Sequence, residues 1–239
     1  MSEQPTSRLF AILERLATYG ADGSGTLRLC ELSAELTGTS GASIMLLSDH
    51  LTHGSLCTSD GVAAYLDDLQ FTLGEGPAFD AHDEGVVVAA PDLSTPTRTE
   101  WVILTPQAVR AGVQAMFAFP IRIGAVRLGA LTLYRHLAGP LTDTQHRDGL
   151  LMADVAARTI LALQADAPPG SVASELESGA NFHLVVHQAA GMVSVQLDVG
   201  VTEALVRLRA MAFRNGQSVD EVSRDVVARR RRLSEPERP

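Results

Sequence analysis

The chain has 239 residues, 46% of them hydrophobic, which is enough for at least one sizeable core and suits a partition into one medium and one small domain. No stretch approaches the roughly 18–20 uninterrupted apolar residues that span a bilayer, and the opening MSEQPTSRLF lacks the succession of a signal peptide, so a cytoplasmic protein away from the membrane is expected. All 19 basic side chains are arginine, and the net charge of −9 hides an asymmetry: residues 1–180 carry 10 Arg against 21 acidic residues, residues 181–239 carry 9 against 7. The acidic front part makes a poor platform for nucleic acid, whereas the basic end suits one.

In chain order, residues 7–19 carry Phe10, Leu13 and Leu16 at helical spacing, with Gly20 as a stop. A second helix is expected over Thr26–Thr37, then a buried strand over Ala42–Ser48, a weaker strand over Ser55–Ser59 and a short helix over Val62–Leu69. In the turn Leu73-Gly74-Glu75-Gly76-Pro77, the glycines allow unusual backbone angles and Pro77 suits the first turn of another helix. Val86–Ala90 is strand-like, residues 91–99 form a loop, and a helical stretch holds Trp101 and Val109. Ala115–Ile123 and Val126–Tyr134, joined by a tight turn at Gly124, make the best hairpin of the sequence. Thr142 and Gln145 have capping-box spacing ahead of the apolar-rich helix that closes the first domain. Cys30 and Cys57 lie far apart in no metal-ligand or redox spacing, so neither a disulfide framework nor a zinc site is expected, and both read as buried apolar fillers.

Residues 166–180, rich in Pro, Gly, Ser and Ala, read as a linker that permits more than one domain arrangement. Three helices are expected beyond it. The first covers Asn181–Leu197 and the second runs from about Val201 to Asn215, stopped by Asn215-Gly216. The third is capped by Ser218 with Glu221 and has the apolar line Val219, Val222, Val226 and Leu233. Each is too short to be stable alone.

The segments GASIMLLS, LQFTLGEGPAFDA (residues 69–81) and AMFAFPIRIGAVRLGALTLY (residues 115–134), with a long helix at the end, resemble a GAF domain. The resemblance implies an α+β fold with a central antiparallel sheet flanked by helices, so residues 1–165 are expected to form a GAF-like sensor domain. It also implies that Met45, Leu47, Phe71, Gly74, Glu75 and Phe79 line or rim a small-molecule pocket, with no cofactor specified. The other reading of these residues is ordinary core plus a structural turn.

The run VHQAAGMVSVQLDVGVTEALVRLRAMAFRNGQSVDEVSRDVV, residues 186–227, is similar to an ANTAR domain, an all-α three-helix module of bacterial antiterminators that binds RNA stem-loops. Gln188, Ala189, Gly191, Glu203, Ala204, Leu208, Arg209, Ala212 and Val222 carry the likeness, which assigns residues 181–239 to an RNA-binding domain with a basic tail. Ala190 and Gly200 stand where the family usually has a basic residue and a serine cap.

In such a domain Gln188, Arg209, Arg214, Asn215 and Gln217 are the candidates for RNA contact, arginines neutralising phosphates and amides reading loop bases. Arg207 can instead pair with Glu203 one turn away, and Arg229–Arg232 reads as a solvated or frayed helix end giving non-specific electrostatic help at most. The functional expectation is a homodimeric, non-enzymatic regulator in which the sensor domain controls RNA binding in transcription antitermination. The alternatives are a DNA-binding regulator, a protein-docking sensor, or an enzyme of the methionine sulfoxide reductase kind, for which no nucleophile and base pair stands out. Metal ligation by His53 and Cys57, or by His183 and His187, is a lesser variant.

Overall fold

The computed structural model describes Ile12, Glu14 and residues 25–47, 52–95, 101–165 and 183–233. The linker and all but two residues of the expected 7–19 helix lie outside these; Ile12 and Glu14 are helical, and Ile12 is buried in the main core. The described residues divide into two compact units. The first contains the described residues up to Gln70 and from Glu75 to Ala165, and the second contains residues 183–233 together with Phe71–Gly74.

The first unit begins with α1 (Gly25–Thr37), where the Ser33 and Thr37 hydroxyls donate to carbonyls one turn back and Gly38, at φ 59°, ends the helix. Strands β1 (Gly41–Leu47) and β2 (Thr52–Thr58) follow, then α2 (Gly61–Leu73), α3 (Pro77–Glu84), β3 (Val88–Ala90) and α4 (Leu104–Arg110). The hairpin β4 (Ala115–Ile123) and β5 (Val126–Arg135) leads to α5 (Asp143–Ala165). All strand pairs are antiparallel, in the order β2-β1-β5-β4-β3.

The expected α+β architecture of a helix-flanked antiparallel sheet is therefore present, with local corrections. Strand β2 starts at Thr52, α2 runs four residues further than its apolar line predicts, and Trp101 precedes α4 and donates from Nε1 to Asp80 at 3.0 Å. The capping box holds: Thr142 N–H donates to Gln145 Oε1 and Gln145 N–H to Thr142 Oγ1.

Alternation along the strands sorts the two sheet faces. Ile44, Leu46, Phe117, Phe119, Leu131 and Leu133 belong to the core shared with α1 and α5, whereas Ser43 faces α2, to which it is hydrogen-bonded. Gly149 lets α5 approach the sheet, since a Cβ there would stand 2.4 Å from the Phe119 ring. In the same core Cys30 of α1 and Cys57 of β2 form a disulfide, which corrects the expectation of separate fillers. The two cysteines are 27 positions apart in sequence, yet their Cα atoms are 6.1 Å apart, a proximity that spacing alone does not reveal.

The second unit holds α6 (Leu184–Leu197), α7 (Val201–Asn215) and α8 (Val219–Val227). Asp198 at φ 52° closes α6, Gly200 in an extended conformation opens α7, and Gly216 at φ 63° ends it. Ser218 and Glu221 form the expected capping box of α8. The core between the helices is made of small side chains, chiefly Ala189, Ala190, Ala204, Ala212, Val186, Val193, Val219, Val222 and Val226, around Leu208.

Candidate functional site

In the first unit, buried polar groups run from the sheet to the helices. Ser43 Oγ donates to Asp67 Oδ1 at 2.6 Å, and Asp67, Gln70, His82 and Thr132 are all buried. Gln70 Oε1 accepts from Ala78 N–H at 2.9 Å, satisfying a first-turn donor of α3. Gly76 at φ 133° makes this possible, because a Cβ there would strike the Gln70 side chain.

The six expected pocket residues are only partly brought together. Met45 and Leu47 are buried in β1, Phe79 is half-buried in α3, and Phe71 and Gly74 belong to the second unit. Glu75 has a structural task, its Oε1 accepting from Ile103 N–H at 3.2 Å and Leu104 N–H at 3.1 Å and so capping α4. A groove of about 580 Å³ in this unit, lined in part by Val86, Pro120, Arg122 and Leu150, contains none of the six.

In the helical unit the candidate RNA residues separate by exposure. Gln188, Arg214 and Asn215 are exposed. Arg209 is not: its guanidinium lies 5.5 Å from the Phe71 ring centre, and burial pushes it down to about 10, still protonated at neutral pH. Phe71 also stacks on His183 at 3.7 Å, and His183 Nδ1 lies 2.8 Å from Asp220 Oδ2. Arg207 pairs with Glu203 at 2.6 Å, the bland alternative for that residue. Gln217 presents its Oε1 to Arg231, which donates at 3.3 Å. Ala190 is 1% exposed, in the bundle interior.

The run Arg229–Arg232 is not a frayed helix end. Arg229 takes φ 57°, and the Arg230 and Arg231 N–H groups both donate to Asp225 carbonyl oxygen, at 2.8 and 3.1 Å, which reverses the chain. Leu233 is then buried, and its N–H donates to Gln196 Oε1 at 3.4 Å. Reading the run as a charged tail missed this turn; buried Leu233 just beyond it was the available signal.

Among the described residues no three His, Cys, Asp or Glu side chains converge as a metal site, and Cys57 is committed to its disulfide. No single described helix is long and apolar enough to cross a membrane.

No family model matches the chain, and no curated protein does. Solved structures do match. The GAF domain of the phosphoenolpyruvate-protein phosphotransferase from Acinetobacter is 12% identical, with 69% of this chain and 98% of that one covered and a TM-score of 0.52. The corresponding GAF domain from Coxiella burnetii is 14% identical, covers 67% and 95%, and gives the same score of 0.52. At these identities the likeness is one of fold: the sheet and its helices have the GAF architecture.

Proposed function

We propose that the chain is a signal-responsive regulator whose GAF-like unit controls the binding of RNA stem-loops by an ANTAR-like helical unit, in transcription antitermination. The observation that carries the reading is how the ANTAR-like pattern divides in space. Ala189, Ala204, Leu208, Ala212 and Val222 are buried, whereas Gln188, Arg214 and Asn215 of the same run face solvent. A run whose apolar positions build the bundle leaves its amides and cations for a polyanion.

The same reading makes the protein a cytoplasmic, non-enzymatic homodimer with a small molecule as input. Leu150 and Leu161, three turns apart and half exposed on α5, support pairing through that helix. A monomer by light scattering at micromolar concentration, with and without RNA, argues against the dimer.

The direct test is fluorescence anisotropy of the full chain with a labelled two-hairpin RNA and with duplex DNA of equal length. The RNA is expected to bind at least about tenfold more tightly, with affinity falling as salt rises. Tighter binding of the duplex transfers the protein to the DNA-binding class, and binding of neither leaves a protein-docking sensor.

A further inference from the structure

The arginine turn beyond α8 folds back beside α6, and between them runs a groove of about 570 Å³. One wall is Arg229, Arg231 and Arg232; the other is the α6 face bearing Gln188, Met192 and Gln196. Among the described residues no carboxylate lines it.

The charge accounting around the groove is one-sided. Of the five described acids in residues 183–233, Asp225 pairs with Arg230 at 2.8 Å, Glu203 with Arg207, Asp220 with His183, Glu221 closes the capping box of α8, and Asp198 is exposed at the end of α6, outside the groove lining. Arg229 and Arg232 have no acidic partner among the described residues, and Arg231 is held by the neutral amide of Gln217. Three arginines thus line one groove in a chain whose net charge is −9. Opposite them Gln188 and Gln196, two turns apart, flank the apolar side chain of Met192, and Gln188 has its amide open to solvent. Guanidinium groups for phosphates, amides for base edges and an apolar strip for ring faces are what an unpaired RNA segment uses.

We propose that the RNA-binding surface of this protein is the groove between α6 and the arginine turn, with Arg229, Arg231 and Arg232 on the phosphates and Gln188 on a loop base. The proposal rests on the RNA-binding reading above and relocates its surface. Gln217 becomes a positioning residue that holds Arg231 and touches no base, and Arg209, covered by Phe71, lies outside the interface.

The experiment titrates the full chain with labelled two-hairpin RNA of randomised loop sequence at several salt concentrations. Arg229→Ala/Arg232→Ala is expected to weaken binding about tenfold or more and to lower the slope of log affinity against log salt by roughly 1.5, the share of two phosphate contacts. Arg147→Ala/Arg158→Ala, the same charge change on α5, should leave both unchanged. Gln188→Ala is expected to weaken binding severalfold at an unchanged slope, and Gln217→Ala to mimic a partial loss of Arg231, lowering affinity and slope together. Circular dichroism checks the helices of each variant, and 4-thiouridine crosslinking of the unmutated chain should mark peptides from α6 and residues 229–233. Wild-type affinity in the Arg229/Arg232 variant, crosslinks confined to the α7–α8 corner, or displacement of RNA by polyglutamate as efficient as by unlabelled RNA would each overturn the groove while RNA binding itself stands. Absence of RNA binding by the unmutated chain removes both the groove and the reading beneath it.

Discussion

In the first unit the core is built from Phe117, Phe119, Ile44, Leu131 and Leu133 under two helices, with a disulfide within it; in the second it is built mostly from alanine and valine, with Leu197, Leu208 and Leu233. Large side chains bury much apolar area each, and a sheet supplies the regular surface on which they interdigitate. Small ones let three short helices approach closely but leave little area per residue. The contrast suits the division of labour proposed above: a heavily packed unit to hold a signal, and a thin one whose residues mostly remain at the surface.

The largest expected effect is that of Phe117→Ala, about 3–5 kcal/mol, because the ring is buried in the centre of the sheet core. Hydrogen exchange should show protection lost in β1, β4 and β5 while α6 to α8 keep theirs; equal loss in both would erase the distinction between the units. Next comes the Cys30–Cys57 bond. Closing a loop of this length restricts the unfolded chain by about 3.5 kcal/mol, so reduction or Cys30→Ala/Cys57→Ala should lower the urea midpoint of the first unit alone. In a reducing cytosol the pair is expected to be open, which mass spectrometry after alkylation in intact cells can read.

A smaller effect belongs to Asp60, whose carboxylate accepts from the Val62 and Ala63 N–H groups and the Tyr134 hydroxyl. Burial opposes its charge, but these hydrogen bonds outweigh burial and hold it below the ordinary 3.8. Its contribution is therefore full above 3.8 and lost as pH falls through the lower folded value. Asp60→Asn should flatten the acid limb of the stability curve below pH 4. The smallest is Ser218→Ala, about 1 kcal/mol from the cap of α8, visible as earlier melting of the helical unit only.

Much of this molecule was legible along the chain, and the legible features share a short reach. Both capping boxes join residues three positions apart, the stops at Gly38 and Gly216 are single positions needing positive φ, and the β4–β5 hairpin joins neighbouring strands. The candidate sites were less legible because their partners are distant in sequence. Glu75 reaches across 28 residues to cap α4. Gln217 accepts from Arg231 fourteen positions on, a contact that no local pattern signals.

The sequence by itself determined the order of helices and strands, the two-unit composition and the concentration of arginine at the carboxyl end, since periodicity, caps and charge are local or additive properties. Only the tertiary structure decided that Cys30 meets Cys57, that Arg209 is covered while Arg214 is exposed, and that four consecutive arginines form a turn against α6. Those outcomes depend on where the chain returns in space, which burial of Leu233 and of the sheet core selects and no short window of residues encodes.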